Sequence, residues 1–571
     1  MELTLQEVLQ KAFEAHKAGQ IQEANRLYTA ILQAQPKHPD ANHNMGVLAV
    51  SVGKIQEALP FFKIALEANP SVGQYWLSCI DALINLDRII DAKSVFDQAK
   101  SKGASGEAFD QLEQRLNVSN EVSIDPQQDQ LNTLINLYQQ GQLQQTLDSA
   151  KQLLSQFPNS LTLYNIQGTA NSGLGQHNAA IDSYKEALKI NPDYADAYNN
   201  MDVALNNKGD LDAALDSYKQ ALKIKPDHAE AHSSLAFVLI GIGNRDEALL
   251  NLKRSHELIR GKNPVNPYHN SFLTISKAKM DHDIDQFKYL ADSGYEAAKF
   301  NALADLYRDV SLKIDWSIGE IQPLSNKHQK LLKNTYNRPI NVLEAPEVLN
   351  GPISTTLDRG NITKGYSKHD HGLTYIDNFL TPSALDSIRE FLLGSTIWHD
   401  IKEGGYLGAY LRDGLACPLL LQIANELRVA FPEIFKGHQL LHLWAYKYDS
   451  GAYKDDNGLT GIRAHADEAA VNVNFWITPA TANLNPESGG LIVYNKLAPL
   501  EWDFKKFNSN HEEIAKHLNY GSCEKTIVPY NENRAVIFNS NLIHETDKFE
   551  FKEGYENRRI NITMLFGHRG D

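Results

Sequence analysis

Two arrays of paired helices followed by a smaller antiparallel β-fold is the architecture this 571-residue sequence predicts. Small and aromatic residues recur with a step of 34 up to about residue 262. That register is then lost while the pattern stays helical to about 340, and beyond about 372 short alternating or apolar runs alternate with turn residues. A chain of this length exceeds what one core supports, so several domains of about 100 to 200 residues are expected.

The repeat comes first because a missed period misassigns a whole fold. Gly19 and Gly53 stand 34 apart with Asp87 next in register, and Ala24, Ala58 and Ala92 keep the step, as do Tyr28, Phe62 and Phe96. A second series joins Gly141, Gly175, Gly209 and Gly243 to Ala180, Ala214 and Ala248, and to Pro158, Pro192 and Pro226. The interval from Asp87 to Gly141 is 54, one step plus a 20-residue insertion around RLNVSNEVSIDPQQ. Each unit reads as one helix ending near the glycine and a second carrying the alanine and the aromatic, stopped by proline.

The stretch GLGQHNAAIDSYKEALKINPDYADAYNNM resembles the tetratricopeptide repeat consensus. The resemblance implies an all-α solenoid with about three repeats in 1–114, an insertion at 115–127 and about four repeats in 128–262. Such units stack because none buries its apolar face alone, and stacking creates a long concave groove. A groove of this kind holds a protein or peptide. An array that only spaces domains or dimerises the chain is the other reading, and oligomerisation stays open. Asn44 and Asn200, two residues before the small-residue position of their repeats, could offer amides to an extended backbone, although Ile166 and Ser234 interrupt that ladder.

Residues 263–340 read as a helical cap on the solenoid and 341–371, rich in Pro and Gly, as a linker. His282 in MDHDID and His369 and His371 in SKHDHG are expected on solvated surface, because neither cluster is followed by alternation or matched by a distant ligand.

In 372–571, GLTYIDNFL reads as a strand, and SALDSIREFLLGS and PLLLQIANELRVAF as helices. HLWAYKY, VNVNFWIT, GGLIVYN, RAVIFNS and RRINITMLFG read as further strands. Short strands with helices on one face predict a β-sandwich or barrel of double-stranded β-helix (jelly-roll) shape with flanking helices.

Chemistry enters at AHADEAAVN. His465 and Asp467 are two residues apart and so share one face of an extended chain. The same spacing at His38-Pro39-Asp40 lacks any supporting context. A third ligand is available in His544, 77 residues after Asp467 and following the apolar strand NRAVIF. Two imidazoles and a carboxylate on one face of an octahedral ion leave three adjacent positions open, an arrangement suited to non-haem Fe(II). Parity then separates two arginines. Arg558 shares a face with Ile560, Ile562, Met564 and Phe566, whereas Arg559 shares the polar face with Asn561 and Thr563 and is the one suited to bind a carboxylate bidentately.

Together these residues resemble the Fe(II)/2-oxoglutarate-dependent oxygenases, particularly the prolyl-hydroxylase-like group, over roughly the last 200 residues. His465-x-Asp467, His544 and Arg559-x-x-x-Thr563 match that family's pattern, Tyr448 in YDSG matches its co-substrate tyrosine, and Gly489-Gly490 matches its usual turn. Tyr446 and Trp444 share the face of Tyr448, and Asn474 and Trp476 share a face of the next strand. The resemblance implies iron held by His465, Asp467 and His544, with 2-oxoglutarate and dioxygen as co-substrates. Arg559, Tyr448, Asn561 and Thr563 would line the 2-oxoglutarate site, and no acid-base residue beyond the metal ligands is implied. It further implies hydroxylation of a C–H bond in a protein or peptide, a prolyl residue being the suggestion, recruited by the repeat groove. Aspartyl and asparaginyl hydroxylases also pair these modules but lack the carboxylate that Asp467 provides.

The sequence departs from the family in the long loop between Tyr448 and His465 and in the 15 residues between His544 and Arg559, so the substrate pocket cannot be carried over. Two other functions stay open: an oxygenase for a small metabolite with the repeats recruiting a biosynthetic partner, and an adaptor whose barrel has lost turnover.

A net charge of -15 argues against nucleic acid and anionic membrane as main partners. Cys79, Cys417 and Cys523 are scattered and support neither a disulfide framework nor a thiolate zinc site. No run reaches about 18 continuous apolar residues and MELTLQEVLQKAFEAH lacks a signal-like core, so a cytoplasmic protein is expected.

Overall fold

The computed structural model describes residues 4–86, 88–118, 125–267, 269–317, 320–449, 461–519 and 523–570. Asp87, part of the insertion and most of the loop between Tyr448 and His465 lie outside the described residues. The chain divides into two compact units, 1–163 and 164–571. Among the described residues no helix is long and apolar enough to cross a membrane.

In the first unit, helices Leu5–Lys17 and Ile21–Ala34, Pro39–Ser51 and Ile55–Ala68, Gly73–Asn85 and Ile89–Ser101, and Gln128–Gln139 and Leu143–Leu154 pack as successive pairs. The 34-residue rhythm has a steric cause. Gly46 faces Phe62 so closely that a Cβ there would lie 2.5 Å from the ring, and Ala58 and Phe62 are both buried. Gly53 closes its helix at φ 78°, a conformation that favours glycine. A further helix, Glu107–Val118, begins within the first array and runs into the start of the insertion, and its Phe109, Leu112 and Leu116 extend the core around Phe96. His38 starts a helix: its Nδ1 accepts from the Ala41 amide at 3.4 Å, Pro39 is the first helical residue, and Asp40 accepts from the Tyr75 hydroxyl.

The second unit continues with His177–Ile190, Ala195–Lys208 and Leu211–Ile224, and Ala229–Gly241 and Arg245–Arg260. Gly168 lies under Tyr184 as Gly46 lies under Phe62. One step later the equivalent residue is Asp202, wholly buried, with neither carboxylate oxygen hydrogen-bonded, and a further step brings Ala236. Burial pushes the Asp202 carboxyl up to about 9, only partly opposed by the nearby Ser217 hydroxyl. A carboxyl raised in the fold above its ordinary 3.8 costs stability increasingly as pH climbs from that value toward 9. Asp202→Ala, which keeps the Cβ and removes the orphaned oxygens, is therefore expected to stabilise the unit by about 1–3 kcal/mol at neutral pH. It should also flatten the pH dependence over that interval. Thermal denaturation across pH checks this, and a variant no more stable than the parent at neutral pH would contradict it.

Residues 263–340 hold the packed helices Lys277–Asp292 and Ala297–Ser311, with Phe287, Phe300 and Tyr307 at their centre, but they are not wholly helical. Strands β1 (Thr274–Ser276) and β2 (Ile321–Pro323) form an antiparallel ribbon. The expectation that MDHDID is solvated is overturned: His282 is 1% and Asp283 5% exposed. Helical spacing puts Lys279 and Asp283 side by side with Nζ to Oδ1 at 2.6 Å, and Gln286 donates to the Leu393 and Ser395 carbonyls, so a charged face is buried because it is paired. The segment 341–371 carries a helix, Arg359–Lys368, and its chain is tied down by the Asn341 and Leu343 amides donating to Thr396 and Ser395 at 3.0 Å each.

The C-terminal part is built on antiparallel sheets. Its strands are β3 (Leu373–Ile376), β4 (Asp400–Ile401), β5 (Tyr406–Tyr410), β6 (Leu440–Tyr448), β7 (Val471–Trp476), β8 (Leu491–Leu497), β9 (Lys525–Val528), β10 (Ala535–Asn539), β11 (Leu542–Thr546) and β12 (Arg559–Phe566). Seven run in the order β3-β10-β7-β12-β6-β5-β4 and three as β11-β8-β9. A shared core of Trp476, Phe538 and Tyr448 from the first sheet with Val493, Val528 and Leu542 from the second presses the two together. Helices Pro382–Gly394, which Thr381 caps, and Pro418–Ala430 lie where the apolar periodicity puts them. The central strands β7 and β12 are buried on both faces, so polar side chains on them are internal.

Candidate metal centre

His465 and His544 meet across a two-way backbone bridge, each amide donating to the other residue's carbonyl at 3.0 and 2.8 Å. His544 follows the apolar strand β10, as its sequence context suggests, and itself lies on β11, beside a bulge in the pairing with β8. The Asp467 amide is held by the Ser540 carbonyl at 3.1 Å. With the main chain fixed on both sides, the ligand atoms of His465, Asp467 and His544 all lie within 4.8 Å of one another. Nε2 of His544 is 3.4 Å from Asp467 Oδ2, and Nε2 of His465 is 3.7 Å from Oδ1.

The far side of each ring fixes Nδ1 as a hydrogen-bond donor. His465 Nδ1 donates to the Arg463 carbonyl at 2.8 Å and His544 Nδ1 to the Leu542 carbonyl at 3.0 Å, since a carbonyl can only accept. With Nδ1 carrying the hydrogen, Nε2 is the ring atom left to offer a lone pair inward. Burial, reinforced by His544, lowers His465 to about 4. Burial acts to raise the Asp467 carboxyl, but the imidazoles of His544 and His465 and the Asn472 amide outweigh it and leave it below its ordinary value. Two imidazoles and one carboxylate converging in a buried space fit a divalent cation.

A second group of polar residues joins this cluster to Arg559. The Asn472 amide donates to Asp467 Oδ2 at 2.5 Å and accepts from Asn474 at 2.7 Å, while Asn474 accepts from Thr563 at 2.7 Å and from Asn561 at 3.3 Å. Asn561 in turn accepts from Arg559 Nη1 at 3.5 Å. Sequence reading misses Asn472, although the repeated asparagine of VNVN marks a polar face on an otherwise apolar strand.

Arg559 is 2% exposed and lies opposite Tyr448 in the β12–β6 register. Its Nε donates to the Gly489 carbonyl at 2.8 Å and Nη2 to the Gly490 carbonyl at 3.3 Å, and the rings of Tyr448, Phe549 and Trp476 surround it at 5.0, 5.4 and 5.8 Å. Gly490 passes so near the Val528 carbonyl that no side chain fits there, which lets the double glycine reach the guanidinium. Among the described residues no carboxylate stands within ion-pair distance of Arg559, and burial lowers its pKa. The Tyr448 hydroxyl and, from farther off, the Asp547 carboxylate also favour its charge, and a buried cation with no ion pair among the described residues suits an arriving anion. Arg558, by contrast, pairs with Asp285 at 2.9 Å and Asp449 at 2.7 Å. Tyr448 is buried, stacks on Tyr406 at 4.9 Å, and burial pushes its phenol up to about 12.

The cavity bounded by Trp444, Tyr448, the three ligands and Arg559 measures about 30 Å³. That is room for roughly one water. A diacid enters only if lining side chains move.

His256, His399 and Asp413 form a second convergent group, which sequence reading does not find, with the two Nε2 atoms 3.4 Å apart. Arg260 occupies both oxygens of Asp413 at 3.0 and 2.7 Å. A cation there would face a guanidinium already paired with the one carboxylate, so this group is an ion-paired joint between the Arg245–Arg260 helix and the turn after β5.

Comparison with known proteins bears on the helical part. A family model described as tetratricopeptide repeat matches residues 15–76, and one described as TPR repeat matches 174–205 and 203–243. These helical pairs are tetratricopeptide repeats. No curated protein matches the chain. Among solved structures, MamA is 22% identical with a TM-score of 0.19, over 37% of this chain and 92% of that one. The TPR domain of P58(IPK) is 17% identical with a TM-score of 0.24, over 44% and 72%. A thermophilic TPR protein of Thermus thermophilus, TTC0263, is 21% identical with a TM-score of 0.20, over 38% and 89%.

Proposed function

We propose that the chain is a Fe(II)- and 2-oxoglutarate-dependent dioxygenase that hydroxylates a protein or peptide recruited by its tetratricopeptide repeats. In this reading the two C-terminal sheets are the halves of a double-stranded β-helix. The observation that carries it is the convergence of His465, Asp467 and His544 beside a buried Arg559 that has no carboxylate partner among the described residues.

His465, Asp467 and His544 would hold the iron, which when bound supplies activation of dioxygen and, with oxidative decarboxylation of 2-oxoglutarate to succinate, hydroxylation of an unactivated C–H bond. The chain's own residues bind and orient. The Arg463 and Leu542 carbonyls fix both imidazole tautomers, and Asn472 holds the second oxygen of Asp467. Arg559 presents a fork to the far carboxylate of the co-substrate, with Tyr448, Asn561 and Thr563 beside it. Trp476 and Phe549 exclude water around that charge pair and so strengthen it. The free thiols of Cys79, Cys417 and Cys523 suit a reducing compartment, the cytoplasm in this reading.

A second reading is favoured by the 30 Å³ cavity: an adaptor whose repeats bind a partner and whose sheets no longer turn over. One experiment separates them. Purified full-length protein is incubated with Fe(II), 2-oxoglutarate and dioxygen while succinate is followed by NMR, and cells with and without the gene are compared by proteomics for residues gaining one oxygen atom. Succinate formation with oxidised peptides only in gene-bearing cells is the expected result. Iron-loaded protein that forms no succinate would leave the adaptor.

A further inference from the structure

We propose that a cleft within the second unit, between the last repeats and the sheet, loads the substrate, and that its occupant is an extended polypeptide segment bearing an acidic side chain held by Arg412. The proposal rests on the dioxygenase reading for what happens to that segment, but not for its binding.

The cleft has a volume of about 590 Å³. Val203 and Phe237, on helices Ala195–Lys208 and Ala229–Gly241, form one wall, and Arg412, His442, Trp444 and Glu468 form the other. Trp444 lines both this cleft and the metal cavity. The link is built into β6: alternation puts His442, Trp444, Tyr446 and Tyr448 on one face, so a single strand surface runs from the repeat helices to the position opposite Arg559. An occupant of the cleft lies one indole away from the metal ligands. The 30 Å³ beyond Trp444 admits no more than the tip of a side chain even after some yielding, while the cleft has room for several residues of chain.

The walls choose the occupant. Val203, 40% exposed, and Phe237 offer apolar contact, and Asn206 and Ser234 set an amide and a hydroxyl beside them. Apolar patches spaced by backbone-matching polar groups suit a strand of polypeptide better than a compact metabolite.

Charge adds the specificity. The molecule carries -15, yet Arg412 stands exposed on the turn Leu411–Asp413, and among the described residues its guanidinium has neither ion pair nor hydrogen bond. His442 faces it and is lowered by burial and then by Arg412. Glu468 also lines the cleft and disfavours an acidic group beside itself. The acidic side chain of the ligand is placed at Arg412, and the oxidised residue at Trp444, which the cleft shares with the metal cavity.

The test uses the full chain without iron and short fluorescein-labelled peptides of repeating Pro-Asp, Pro-Asn and Pro-Lys, read by fluorescence anisotropy. The Pro-Asp peptide is expected to bind about fivefold more tightly than Pro-Asn, the size of a partly exposed ion pair, with Pro-Lys weakest. Arg412→Ala should erase that order, and added salt should shrink it. Val203→Glu, an exposed change on the repeat wall, should weaken the Pro-Asn peptide as well, which places the peptide in the cleft. Equal affinity for the three, binding of none, or an order unaffected by Arg412→Ala overturns the proposal. Succinate formation is measured separately: turnover with no peptide preference sinks the cleft alone, and peptide preference with no turnover sinks the dioxygenase alone.

Discussion

Replacing His465, Asp467 or His544 by alanine is expected to abolish stoichiometric Fe(II) binding and all 2-oxoglutarate-dependent succinate formation. Each contributes one of only three donors, and the other two cannot re-form the set because their main chains are pinned to each other and to Ser540. Anaerobic dialysis with metal analysis reads the first effect and NMR the second. His38→Ala is the control, because the same His-x-Asp spacing there caps a helix, and it should change neither. Asn472→Ala should be intermediate, lowering iron affinity by about 10- to 100-fold, as loss of a group that orients a ligand does. Iron retained by all three ligand variants would end the assignment.

Arg559→Ala is expected to weaken 2-oxoglutarate binding by about 10- to 100-fold while iron binding survives, since a buried bidentate contact to a carboxylate contributes about 1.5–3 kcal/mol. Anaerobic calorimetry of 2-oxoglutarate into the iron-loaded chain measures it. Arg559→Lys keeps the charge but loses the fork, so it should recover only part of the affinity. The alanine variant also frees the Gly489 and Gly490 carbonyls, so its thermal stability is measured in parallel. Unchanged affinity in a folded variant would place the diacid elsewhere.

The repeats are legible in the sequence because their spacing is a packing rule: Gly46 and Gly168 make room for Phe62 and Tyr184, and those pairs cannot drift in sequence without colliding in space. The long C-terminal strands are legible by alternation, and parity separates Arg558 from Arg559, though the acidic partners of the buried Arg558 come from distant segments that parity does not show. Shorter pieces are not. The short strands β4, β5, β9 and β11 lack the continuous apolar run that marks β3 and β10, so the sequence places His544 after a strand without showing that it lies on a further one. His282 misleads for a different reason: charge density suggests solvent, and only tertiary packing reveals that Lys279 and Asp283 cancel each other inside. The cleft at Arg412 lies beyond sequence reading, because it joins segments far apart along the chain.

The string of asparagines from Arg559 to Asp467 gives the two ends of the pocket a common set of dipoles. An anion arriving at the guanidinium and a cation arriving at the carboxylate would pull those amides in the same direction, so whichever comes first prepays the reorientation for the other. Reciprocity then requires each to tighten the other by an equal factor, and a pocket with one end occupied is a different receptor from an empty one.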